Sequence, residues 1–106
     1  HRLLEAVYQS LFVYELISKW LEVKTEVIIP VIWNDMKLDQ GFRADIIVND
    51  KVIIELKSVE TLLPVHPKQL RTYLRLTGLR LGMLINFNED KLTDGIKRVV
   101  NGLTED

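Results

Sequence analysis

Apolar residues recur at helical spacing at the start of the chain and then give way to strand-like runs. Leu3, Leu4, Val7, Leu11, Tyr14 and Ile17 lie three or four apart, which predicts a helix from Leu3 to about Leu21. Val23 to Trp33 is rich in β-branched residues and interrupted by Pro30, the pattern of a strand with an edge or bulge position. Asn34-Asp35 opens a polar turn. Gly41–Val48 and Lys51–Lys57 predict two further strands, joined at Asn49-Asp50, residue types that tolerate positive φ in a hairpin. Ser58 to Pro64 reads as a loop, Pro67 to about Leu76 as a helix closed near Gly78, and Leu81 to Phe87 as a buried strand. Leu92 to Val100 reads as a last helix ended by Asn101-Gly102, with Glu89 and Asp90 complementing its N-terminal dipole. The order αβββαβα predicts an α/β fold: a central mixed four-stranded sheet flanked by helices, plus a C-terminal helix.

Neither a repeat nor a linker interrupts this order, so the 106 residues are expected to form one domain, 1–106. The helical pattern begins at the first residues, so a shortened N-terminus is expected. The absence of cysteine excludes disulfides and thiolate metal sites. No apolar run reaches membrane-spanning length and no signal-peptide pattern is present, so a cytoplasmic location is expected. A net charge of −1 gives no global sign of a polyanionic partner. The distribution says more: residues 57–101 carry eight Lys/Arg against four Asp/Glu, so nucleic acid, if bound, should approach from that half.

The chemistry concentrates on the hairpin. Alternation along a strand places Asp45 and Ile47 on one face, with Ala44, Ile46 and Val48 on the other. On the return strand Ile53, Glu55 and Lys57 share a face. Matching the apolar faces requires the loop Asn49-Asp50-Lys51, which pairs Val48 with Val52 and sets Asp45 opposite Glu55. A two-residue loop would set Asp45 opposite Ile54 and mismatch the faces. Two facing carboxylates repel unless a cation lies between them, and their oxygens are the hard ligands that Mg²⁺ or Mn²⁺ prefers. Lys57, on the same face, could then hold or deprotonate a water. The bland reading is a solvated charged face. The apolar neighbours Ile46, Ile47, Ile53, Ile54 and Leu56 weigh against it, because they imply burial.

At these residues the chain resembles the PD-(D/E)xK nuclease superfamily, through Gly41-Phe42-Arg43-Ala44-Asp45 and Ile54-Glu55-Leu56-Lys57. Within it, the chain resembles the small prokaryotic GxxExxY family through Leu3–Tyr8, Pro64–Tyr73 with its Q-x-x-x-Y spacing, and Leu84–Asn88. One departure is Arg2, where that family has its first glycine. The resemblance implies a restriction-endonuclease-like αβββαβ core and metal-dependent cleavage of nucleic acid, DNA ahead of RNA. It implies Asp45 and Glu55 as metal ligands, the Leu56 carbonyl as a third and Glu5 approaching the same Mg²⁺ or Mn²⁺. It implies Lys57 as the residue acting on the attacking water, with Gln69 and Tyr73 lining the cleft. The last two are four residues apart and so share a helix face.

The remaining candidates are weaker. His66 could contact phosphate, although a lone histidine between Val65 and Pro67 is more often a loop or capping residue. Lys68, Arg71 and Arg75 form a helical stripe that is either a solvated face or a set of phosphate contacts. Arg43 could meet phosphate or pair with an acid. Trp20 and Trp33 read as packing residues. Two rival classes stay open: a nucleic-acid-binding module with a vestigial site, and an interaction subunit of a homodimer or larger complex. An exposed apolar patch would mark the latter.

Overall fold

The computed structural model describes residues 2–38, 41–88 and 92–102. Helix α1 (Arg2–Ser18) turns Phe12, Val13 and Leu16 onto a core cluster of Ile46, Val48, Ile54, Leu56 and Ile85. It ends before Leu21 because Trp20 takes a left-handed conformation, φ 65°, after the Lys19 N–H has bonded back to the Leu16 carbonyl. Strand β1 (Val23–Ile28) follows, then a small hairpin of β2 (Val31–Trp33) and β3 (Met36–Leu38), then β4 (Arg43–Val48) and β5 (Val52–Lys57). Helix α2 (Val65–Thr77) crosses to β6 (Leu81–Asn86), and a single 3-10 turn at Leu92–Gly95 leads into β7 (Ile96–Val100).

Five strands form one mixed sheet in the order β1-β4-β5-β6-β7, in which only β5 and β6 run parallel. The β5–α2–β6 crossover supplies that parallel pair. Helix α1 covers one face of the sheet. Helix α2 covers the other, where Leu70, Tyr73 and Leu74 pack with Ile47, Ile53, Leu84 and Val99. Gly82 permits the close approach of α2 to β6: a Cβ there would lie 2.9 Å from Leu70 Cγ. Among the described residues no helix is long and apolar enough to cross a membrane.

The α/β class, the flanking helices and the hairpin register agree with expectation. Val48 pairs with Val52, Ile47 with Ile53 and Ile46 with Ile54, and Asn49 and Asp50 both take positive φ. The C-terminal helix is incorrect, and with it the count of four strands. Gly95 is a poor helix interior residue, and Ile96-Lys97-Arg98-Val99-Val100 is β-prone. Pairing Leu81 with Val100 and Ile85 with Ile96 buries Val99 and covers the edge that β6 would otherwise expose. Glu89 and Asp90 lie outside the described residues. The run Val23–Trp33 is two strands in different sheets, because Pro30 has no N–H to continue a ladder. Strand β3 carries little sequence signal, since Met36 and Leu38 are its only apolar positions. Helix α2 starts two residues early, at Val65, because Pro67 is tolerated in a first turn whose N–H groups are unbonded anyway.

Candidate active site

The sheet splits at Asp45. Strand β4 stays paired with β1 as far as Arg43↔Ile28, whereas its pairing with β5 ends at Ile46↔Ile54. Opposite Asp45 on β1 is Glu26, which has φ 50° and is skipped between the pairs Thr25↔Ile46 and Val27↔Ala44. This irregularity reverses the alternation. Ile46 and Val48 join the cluster under α1, but Ala44 and Phe42 pack with Ile47 under α2. The expectation that Ala44 shares a face with Ile46 is therefore incorrect, and the cause is a bulge-like kink centred on Glu26 and Asp45.

Two carboxylates fill the mouth of the split. The Leu56 N–H donates to Asp45 Oδ2 at 2.8 Å, and the Asp45 N–H donates to Glu55 Oε2 at 2.7 Å. Side chains thus take the place of ladder bonds where the strands part. Glu55 is only 5% exposed. Burial, and then the neighbouring Asp45 charge, push its carboxyl up to about 8 from an ordinary 4.5. Asp45 is also raised, chiefly by burial, with smaller contributions from Glu26 and Glu5. Glu5, from α1, accepts the Ser58 N–H just beyond β5 at 3.0 Å. One turn further along α1, Tyr8 stacks on Phe87 with ring centroids 4.4 Å apart, which ties this end of α1 to the end of β6. Among the described residues no three acidic or histidine side chains converge on a common point.

Lys57 ends β5, half-buried, and its charge favours ionisation of both carboxylates while disfavouring protonation of His66. His66 lies in the first turn of α2, and its Nδ1 accepts the Leu63 N–H at 3.0 Å. Its pKa is lowered first by burial and then by Lys57. Tyr73 is buried edge-to-face against Phe42. Burial raises its hydroxyl pKa most, followed by Glu55 and Asp45, which brings it into the same electrostatic neighbourhood. Its helical neighbour Gln69 is exposed and has no hydrogen bond among the described residues. Arg43 pairs with Glu26 at 3.8 Å, and both line a cleft of about 550 Å³ with Glu5, Gln9 and Asp45. Lys68, Arg71 and Arg75 are exposed on the side of α2 away from buried Leu70, Tyr73 and Leu74. Trp20 is not a packing residue, being 96% exposed, and the Trp33 side chain lies outside the described residues.

Two residues beside the pair escape the sequence reading. Glu26 gives no signal, because a charged residue on an edge strand is ordinary. Asn86 does give one: it is a lone amide in an apolar strand. It is fully buried, with Oδ1 accepting the Val59 and Asn88 N–H groups and Nδ2 donating to the Val59 carbonyl. It fastens the segment that follows Lys57.

Comparisons with known proteins agree with this architecture. The protein of the crystal structure of SSO0001 superposes with a TM-score of 0.70 at 22% sequence identity, over 95% of this chain and 52% of that one. The chain thus spans about half the length of this neighbour, and the likeness is one of fold. No curated protein matches. The sequence profile of the PD-(D/E)XK nuclease superfamily matches residues 1–99, almost the whole chain, and the chain belongs to that superfamily.

Proposed function

We propose that this chain is a divalent-metal-dependent nuclease of the GxxExxY type, hydrolysing phosphodiester bonds of DNA in preference to RNA. The observation that carries the reading is the pair Asp45 and Glu55, set face to face in the split between β4 and β5 with Lys57 beside them. The donor set fits a hard cation. Burial opposes the ionisation of both carboxylates, and the Asp45 charge adds to it at Glu55, so a positive ion between them would relieve both. Asp45, Glu55 and the Leu56 carbonyl, which leaves the strand on the same edge as the Leu56 N–H, would hold Mg²⁺ or Mn²⁺, with Glu5 alongside. Such an ion polarises a phosphate and lowers the pKa of a bound water.

The chain's own residues supply the rest. Lys57 offers a cation for the attacking water and the developing phosphate charge. Tyr73 offers a hydroxyl in the same neighbourhood. Arg43 borders the cleft, Gln69 is free to contact a backbone, and the His66 pKa is held down by burial and by Lys57. The test is incubation with single- and double-stranded DNA and RNA in Mg²⁺, in Mn²⁺ and in chelator. Metal-dependent cleavage that is lost in Lys57→Ala is expected. Equal behaviour of wild type and Lys57→Ala on every substrate overturns the reading.

A second reading is a nucleic-acid-binding module, favoured by the exposed cations Lys68, Arg71 and Arg75 along α2. It requires salt-dependent binding without turnover, weakened by charge removal at Arg71 and Arg75.

A further inference from the structure

We propose that the outer face of α1 is the seam through which two copies of this chain associate. The helix is apolar on both sides. Its inner side is committed to the sheet through Phe12, Val13 and Leu16. On its outer side Leu4, Val7, Leu11 and Tyr14 are exposed, Leu11 at 60% and Tyr14 at 71%, and Ile17 and, just past the helix, Trp20 are exposed as well. A surface helix that served only this domain would carry polar residues there. Together these side chains expose on the order of 700 Å² of accessible surface, above the largest patch of a typical monomer. That is close to the roughly 800 Å² each partner contributes to a stable interface.

The pattern indicates the occupant. Leu4, Val7, Leu11, Tyr14 and Ser18 follow the alternating three-and-four spacing of a helix-packing seam, which is complemented by another helix with the same spacing. The other long helix, α2, presents Lys68, Arg71 and Arg75 outward and supplies no such stripe. A second α1 does. Its flanks do not oppose self-association, because Glu15 is paired with Lys19 of its own chain at 3.9 Å and Ser10 is neutral. Leu11 is midway between Leu4 and Ser18, so a two-fold axis through the seam sets Leu11 against its own copy in either helix direction. This inference is independent of the catalytic reading, since none of these side chains lies at the carboxylate pair.

The test is sedimentation equilibrium of the whole chain across the micromolar range. Wild type is expected to be a dimer, and Leu11→Glu and Leu11→Lys each a monomer. An equimolar mixture of the two variants is expected to recover a dimer, because opposite charges then meet across the axis. Circular dichroism should be unchanged, Leu11 being exposed. If either variant fails to fold, Val7→Glu and Val7→Lys replace it. A wild type that stays monomeric overturns the proposal. So does a dimer insensitive to Leu11 but broken by Ile32→Glu on the β2–β3 hairpin, or a charge-swapped mixture that stays monomeric.

Discussion

Glu55 Oε2 is 2.7 Å from the backbone nitrogen of Asp45, the residue whose charge most opposes its own after burial. A buried carboxyl raised to about 8 is protonated in the folded protein at a pH where the unfolded chain, near 4.5, has already lost its proton. Folding is then favoured by acid. The stabilisation is complete below about pH 4.5 and is lost as pH rises through about 8, by on the order of a few kcal/mol. Asp45 shifts in the same sense. In chelator, the melting temperature of wild type should therefore fall between mildly acid and mildly alkaline buffer. Glu55→Gln should flatten the profile, and Mg²⁺ or Mn²⁺ should raise the alkaline end by mass action. A metal-free melting temperature that climbs over this range would sink the account of the pair.

Lys57 acts on three neighbours at once, so its removal has two readouts. Lys57→Ala should lower cleavage by roughly 10²-fold or more while leaving nucleic-acid binding largely intact, if the lysine serves the reacting groups. Independently of activity, it should raise the His66 pKa, because the Lys57 charge is one of the two causes that lower it. The rise should be partial, since burial is the larger cause. A proton NMR titration of His66 in both proteins measures it. An unchanged His66 would mean that the ammonium points elsewhere in solution.

Much of this arrangement is legible in the sequence because strand alternation and hairpin register are local. Asn49-Asp50 fixes the turn and the apolar faces fix the offset, which carries the pairing to Ile46↔Ile54 and leaves Asp45 and Glu55 next to each other just beyond its end. Glu5 comes only through resemblance to a family, because its place depends on how α1 docks, and no spacing within the helix encodes that. The kink at Glu26 is hidden for a different reason. It is the interaction of two strands far apart in sequence, and it alone explains why Ala44 leaves the face of Ile46. The segment Leu92–Val100 misleads because its apolar positions satisfy helical spacing. The deciding facts are the open edge of β6 and the β-prone run after Gly95.

Asn86 should behave as a positioning residue for the segment after Lys57. Its three side-chain hydrogen bonds all go to backbone groups, and it has no exposure through which water could replace them. Asn86→Ala leaves the half-buried Val59 N–H and C=O without their partner, so a loss of about 1–3 kcal/mol is expected. Chemical denaturation measures the loss. Amide exchange at Val59 should quicken beyond the general destabilisation, and a uniform change would show that Asn86 supports the fold without tying that segment.

Gly82 tests the docking of α2. Because the missing Cβ would meet Leu70 Cγ at 2.9 Å, Gly82→Ala forces the buried leucine or the helix outward. Overpacking of this kind costs about 1–3 kcal/mol. Displacing α2 also moves Tyr73, three residues beyond Leu70 on the same buried side and edge-on to Phe42. The substitution should therefore lower activity by more than its effect on the folded population at assay temperature, with nucleic-acid affinity less affected. Leu70→Ala in the same chain opens the space again, so the double variant should lose less than the two single variants together. If the double variant is worse than the sum of the two single ones, the leucine is not what the added methyl group displaces, and contact with the backbone of α2 is the cause.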